Sequence, residues 1–139
     1  LIKNQKKAKE GFKKYLITPE QEFVEAHSFL AVIDNKEIPS LKSLKVSEES
    51  YVLGLLDCIG ELKRLVLDNI RNGQLKKADR IFSVMENLYQ TLYPFAMYDK
   101  IVKEARRKLD VNRILVEETR AVITEEIRRN HFVKALTKK

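Results

Sequence analysis

Tryptophan is absent from this chain, and cysteine, histidine, proline and glycine are scarce, at one, two, three and four residues in 139. A lone cysteine, Cys58, excludes an internal disulfide and suits a reducing, cytoplasmic setting. Its place on the apolar side of a helical pattern makes it a small core residue rather than a nucleophile. Neither histidine belongs to a Glu-x-x-His pair, so a ferritin-like di-iron site has no ligand set. The few glycines form no G-x-x-x-x-G-K-[ST], G-x-G-x-x-G or G-x-S-x-G motif, which removes the commonest phosphate loops and the nucleophile elbow. No apolar run approaches the ~20 residues of a membrane span; the longest are of the size of Phe29 to Ile33. No signal-peptide pattern opens the chain, so a soluble cytoplasmic protein without membrane association is expected. It starts at Leu1 rather than Met, and an N-terminal piece is expected to be missing.

What is abundant is charge and helical periodicity. Lys and Arg outnumber Asp and Glu by 27 to 20, a net charge of +7 that favours a polyanionic partner. With 44% hydrophobic residues, the chain is expected to form a single domain over 1–139 with a real core.

The most organised stretch is Tyr51 to Gly73. Val52, Leu55, Leu56, Cys58, Ile59, Leu62, Leu65, Val66, Leu67 and Ile70 recur at helical spacing over an arc of about 200°. A surface helix needs only a little over ~100°, so this one is expected to be covered on most sides. Asp57, Glu61, Arg64 and Asp68 occupy the remaining sector. Gly54 and Gly60 border it, and two mid-helix glycines, each costing about 1 kcal/mol relative to Ala, imply close approach of a backbone or ligand. Ser47 followed by Glu48 and Glu49 caps the start, and Asn72-Gly73 supplies the stop.

Upstream, the run from Leu1 to Leu16 carries Lys3, Lys6, Lys7, Lys9, Lys13 and Lys14. It reads as the end of a helix, a turn at Gly11 and a basic strip, either a solvated terminus or a phosphate contact. Thr18-Pro19-Glu20 predicts a helix start, with the helix running to Ile33. On its wheel Glu22 and Glu25 fall among Ala26, Phe29, Val32 and Ile33, inside the apolar face, where carboxylates need a cation, a proton or a wet cleft. Asp34 to Val46 is a connection.

Downstream, Leu75 to Tyr93 is a helix with Ala78, Ile81, Phe82, Met85, Leu88, Tyr89 and Leu92 on one face, stopped by Pro94. Tyr98 to Leu136 keeps helical period without proline or glycine. At ~1.5 Å per residue it exceeds what a small domain needs and suggests a wall shared between subunits. Its arginines and Lys108 are expected to be solvated or paired with Glu117, Glu118, Glu125 and Glu126. The fold class is all-α, an antiparallel helical bundle.

Two helices thus each carry two carboxylates on one side: Glu22 and Glu25 as E-x-x-E, Asp57 and Glu61 as D-x-x-x-E. Four carboxylates suit a hard cation, Mg²⁺ or Mn²⁺, and not zinc. A solvated face with Glu61–Arg64 and Arg64–Asp68 pairs is the competing reading.

QEFVEAHSF at Gln21 to Phe29, the run YVLGLLDCIGELKRLVLDNIRNG at Tyr51 to Gly73, and KEARRKLDVNRILVEETRAVITEEI at Lys103 to Ile127 resemble the translin and translin-associated factor X family in its archaeal form. The L-G-x-x-D-x-x-G-E-L-x-R pattern, Leu53 to Arg64, is its most specific part. The resemblance implies a translin-like bundle assembling into a hollow homo-oligomer, commonly an octamer, that binds RNA and single-stranded DNA. It further implies, for the factor X type, a Mg²⁺-dependent endoribonuclease acting on single-stranded RNA held in the shell. Glu22, Glu25, Asp57 and Glu61 match that branch's catalytic and metal-holding acids, and Arg64 is a candidate for a phosphate oxygen or for a salt bridge to Glu61 or Asp68. Cys58-Ile59 departs from the usual pair, and the family's long first helix is absent or represented only by Leu1 to Glu10. Two alternatives stay open: a non-catalytic nucleic-acid-binding scaffold of translin type, and an all-α nucleoside triphosphate pyrophosphohydrolase, which usually shows E-x-x-D on its second helix.

Overall fold

The computed structural model describes the backbone of residues 2–138 and the side chains from Ile17 to Lys138. The side chains of the basic strip between Lys3 and Lys14 therefore lie outside the described residues.

Five helices follow one another: α1 (Ile2–Ile33), a single turn α2 (Leu41–Leu44), α3 (Glu48–Arg71), α4 (Leu75–Leu92) and α5 (Ala105–Thr137), with a 3₁₀ helix at Tyr93–Tyr98 leading towards α5. No strand occurs among the described residues. The all-α reading holds. At the centre lies α3, packed against α1, α4 and α5; α4 and α5 also pack on each other, while α1 rests chiefly on α3.

The wide apolar arc of α3 explains that position. Val52, Leu55, Leu56, Cys58, Ile59, Leu62 and Val66 are buried, joined by Val24 and Val32 of α1, Ile81 and Met85 of α4, and Leu109, Val116 and Ile123 of α5. Of the expected arc, Leu67 alone is exposed; Leu65 and Ile70 are half-buried. Ser47 caps α3 as its sequence predicts, its hydroxyl accepting from the Ser50 amide at 3.2 Å. At the other end Gly73 adopts φ +72°, its amide donating to Ile70 O at 2.9 Å and that of Gln74 to Asn69 O at 2.8 Å. These two bonds close a Schellman motif, which turns the chain sharply into α4.

Gly54 serves the close approach its position implies. A Cβ there would lie 2.6 Å from both Gln21 O and Val24 Cβ, so α1 and α3 touch backbone to backbone. Gly60 does not: its nearest neighbour, Leu115 Cδ1, is 3.9 Å away, an ordinary contact.

Two boundaries differ from the expectation. Helix α1 does not begin at Thr18; it runs through Gly11 and keeps Pro19 in its interior. Proline's fixed φ is compatible with helix, and it costs one backbone bond and a clash rather than forcing a stop. Helix α5 begins at Ala105, not Tyr98, after Glu104 takes the left-handed conformation at φ 68°. Asp99 Oδ1 then accepts from the Arg106 amide at 3.2 Å and satisfies an end amide of α5.

Candidate active site

Helix α1 presents to α3 a narrow stripe of Val24, Ser28, Ala31 and Val32, all buried. The stripe is made of small side chains because Gly54 lets the backbones close up. Glu25 borders it and is half-buried, whereas Glu22, Ala26 and Ile33 face outwards. The expectation that both glutamates sit inside the apolar face is thus corrected for Glu22: Val32 is buried and Phe29 packs partly buried on the core, but Ala26 and Ile33, beside Glu22, are exposed.

Across the α1–α3 contact lie Asp57 and Glu61, both half-buried. Asp57 accepts hydrogen bonds from the Gln21 side-chain amide on α1 and from the Lys108 ammonium on α5, so three helices meet at one carboxylate. Lys108 and Asp57 keep only 18% and 26% of their side-chain surface, so water screens this pair little. Glu61 pairs with Arg64 at 3.2 Å, and Arg64 is 78% exposed. Of the two salt bridges expected for Arg64, the one to Glu61 forms, and none to Asp68 is present among the described residues.

The charges are coupled. Burial pushes the Glu25 carboxyl above the ordinary range, and Asp57, Glu61 and Glu22 push it further, against the pull of Lys108. Burial, with Glu25, Glu61 and Asp57 behind it, raises the Cys58 thiol to about 12, which keeps it a protonated core residue. Glu25, Asp57 and Glu61 therefore form one electrostatic group, with Glu22 at its exposed margin. The donor chemistry, carboxylate oxygen throughout, fits a hard divalent ion. Among the described residues, however, no three His, Cys, Asp or Glu side chains converge closely enough to hold a metal ion, and the cluster's counter-cation in this structure is Lys108.

Lys108 and Asn112 are the residues that sequence reasoning missed. Asn112 is buried and donates to Leu56 O at 2.9 Å, tying α5 to α3 one turn beyond Lys108. With Asp57, Gly60, Arg107 and Val111 they line a hollow of about 230 Å³ between the two helices. The signal was present: Lys108 stands beside core Leu109, at the edge of the apolar face rather than on the solvated side. Glu20, a first-turn acid by its sequence position, has a further role. It accepts from the Ser47 amide at 3.2 Å and hydroxyl at 3.0 Å, and although burial raises its carboxyl, bonds from Ser50 and Ser47 outweigh that and hold it below the ordinary range. A larger apolar hollow of about 590 Å³, bounded by Tyr51, Phe95, Tyr98 and Ile101, is lined by none of the four acids.

The translin family model matches residues 9–123, most of the chain. The chain belongs to the translin family. An uncharacterized protein of Methanocaldococcus jannaschii is 46% identical over 106 residues, which cover 76% of this chain and 47% of that protein. Among solved structures, the crystal structure of AfC3PO is 30% identical with a TM-score of 0.79, covering 92% of this chain and 67% of the other. AfC3PO in complex with duplex RNA gives 32% identity and a TM-score of 0.71, over 79% of this chain and 58% of that one. This translin-family chain therefore spans about half the length of the curated relative it matches. No helix among its described residues is long and apolar enough to cross a membrane.

Proposed function

We propose that this translin-family chain acts on RNA as a divalent-cation-dependent endoribonuclease, working as a homo-oligomer that encloses its substrate. The observation that carries the reading is the coupled group of Glu25, Asp57 and Glu61 at the α1–α3 contact, with Glu22 beside it, in a chain whose relative AfC3PO binds duplex RNA. Carboxylate oxygens of this group are the donors that Mg²⁺ or Mn²⁺ would take, although the acids do not converge on one point in this structure; such an ion, when bound, supplies Lewis-acid polarisation of the scissile phosphate. The chain's own residues do the rest. Gln21 and Lys108 fix the orientation of Asp57. The Lys108 ammonium is a positive charge beside the cluster that can meet a phosphate oxygen. The surplus of +7 draws in a polyanion with little regard to base sequence.

A second reading has its own observation. Lys108 already pairs with Asp57, and among the described residues no three acids converge, which favours a non-catalytic nucleic-acid-binding scaffold with a structural ion pair. The two readings separate in one assay: labelled single-stranded and duplex RNA incubated with the purified chain in Mg²⁺ or Mn²⁺ against EDTA. Shortened products that need the metal and vanish in Asp57→Asn and Glu25→Gln support the nuclease. Salt-sensitive binding, indifferent to EDTA and without cleavage, supports the scaffold.

A further inference from the structure

Helix α5 carries six arginines, and four of them are ion-paired. Arg107 pairs with Glu104 at 3.3 Å, Arg120 with Glu86 and with Glu117 at 2.7 Å, Arg128 with Glu125 at 3.2 Å, and Arg129 with Glu126 at 3.0 Å. Among the described residues Arg106 and Arg113 have no such partner. Both line one hollow of about 330 Å³, shared with Tyr89, Tyr93, Met97 and Asp110. It lies between α4, the 3₁₀ helix and α5, on the flank of α5 away from Lys108 and the acid cluster.

Three kinds of side chain meet there, and each matches one part of a single chemical class. Tyr89 and Tyr93, with ring centroids 6.0 Å apart and planes at 61°, offer an aromatic face on which a base can stack. The two guanidiniums, seven residues apart on one face of α5, offer forked donors for phosphate oxygens. Asp110 stands between them in sequence and lines the same hollow; its carboxylate can accept from hydroxyl groups such as those of a ribose. Glu117 is the other acid near Tyr89. The volume is at the small end of ligand sites, roughly 300–1,000 Å³, which limits the occupant to one nucleotide.

We propose that the Tyr89–Tyr93–Arg106–Asp110–Arg113 hollow binds a single phosphorylated ribonucleotide, either free or as the phosphorylated end of an RNA strand. The free nucleotide would be a ligand independent of the nuclease reading. An RNA end would rest on that reading, docking a terminus at a distance from the acids.

The test titrates the complete chain with AMP, with 2′-deoxy-AMP, and with a short RNA bearing a 5′-phosphate, a 3′-phosphate or neither. Each titration is repeated for Arg106→Gln, Arg113→Gln and Asp110→Asn, with circular dichroism to confirm folding. Saturable binding of AMP or of a phosphorylated RNA, weakened roughly tenfold or more in each arginine variant, is expected. Asp110→Asn should erase the preference for ribose over deoxyribose. AMP binding with no gain from RNA phosphates identifies the free ligand; the reverse identifies the strand end. No binding of either, or binding that both arginine variants leave unchanged, overturns the proposal. Cleavage of long RNA by Arg113→Gln at the parental rate, without nucleotide binding in the parent, would leave the nuclease standing and the hollow refuted. Nucleotide binding in a parent that cleaves nothing would do the opposite.

Discussion

The behaviour of the acid cluster is decided by one lysine. Replacing Lys108 with Gln leaves the poorly screened Asp57 carboxylate with Gln21 as its only partner among the described residues, and removing one member of a mostly buried pair costs about 1–3 kcal/mol. Urea denaturation at neutral pH should show that loss, while Lys63→Gln, whose partner Glu118 is exposed, should cost well under about 1 kcal/mol. Glu25 makes the reverse forecast. Its folded carboxyl titrates above the ordinary range, so the folded state binds more protons than the unfolded one between the ordinary value and the raised one. Stability from this group is thus present below that window and lost as pH rises through it. Glu25→Gln should therefore melt no earlier than the parent at pH 7, and any advantage should close as the solution is acidified. An earlier melt at pH 7 would mean that Glu25 is a paired structural acid. The four carboxylates are visible in the sequence because their spacing is local to two helices. The partners of Lys108, Gln21 and Glu20 are not, even where the place of Lys108 at the edge of an apolar face marks it, since each acts on a residue 27 or more positions away.

At the level of elements, periodicity carried the reading well wherever a helix is amphipathic. The buried face of α4 contains Ala78, Ile81, Phe82, Met85, Leu88 and Leu92, all of them expected. It succeeded only in part for α1: Val32 is buried and Phe29 packs on the core as expected, but Ala26 and Ile33 are exposed, Val24, Ser28 and Ala31 complete the buried stripe, and Pro19 is tolerated inside the helix. The two glycines of α3 offer a paired test. Gly54→Ala puts a methyl 2.6 Å from the α1 backbone and should cost about 1–3 kcal/mol by forcing the helices apart. Gly60→Ala meets nothing closer than 3.9 Å and should gain up to about 1 kcal/mol from helix propensity alone. Thermal unfolding of the two variants should shift in opposite directions.

For the whole molecule, α5 is the element that exceeds the needs of its own core. Its 33 residues extend about 50 Å, yet beyond Ile123 none is buried, and Phe132, Val133 and Leu136 are 65%, 55% and 61% exposed. Val111, Ile114 and Val122, earlier on the helix, are exposed apolar residues as well. Light scattering is expected to give the mass of several subunits, and Val133→Asp with Leu136→Asp should lower it while leaving helix content intact. A monomeric parent at micromolar concentration would remove the enclosed-substrate reading. Finally, α1 rests chiefly on α3, whereas α3, α4 and α5 brace one another. Two of the four acids ride on the helix whose described residues rest chiefly on one neighbour. Opening of α1 need not melt the three-helix remainder, so the cluster is a composite that exists only while a hinged outer layer is shut. Hydrogen exchange should report this as a separate, lower opening free energy for the α1 amides between Val24 and Val32 than for those of α3. A cation bridging Glu25 and Asp57 should act as a latch, slowing exchange in α1 and leaving the amides of α4 unchanged.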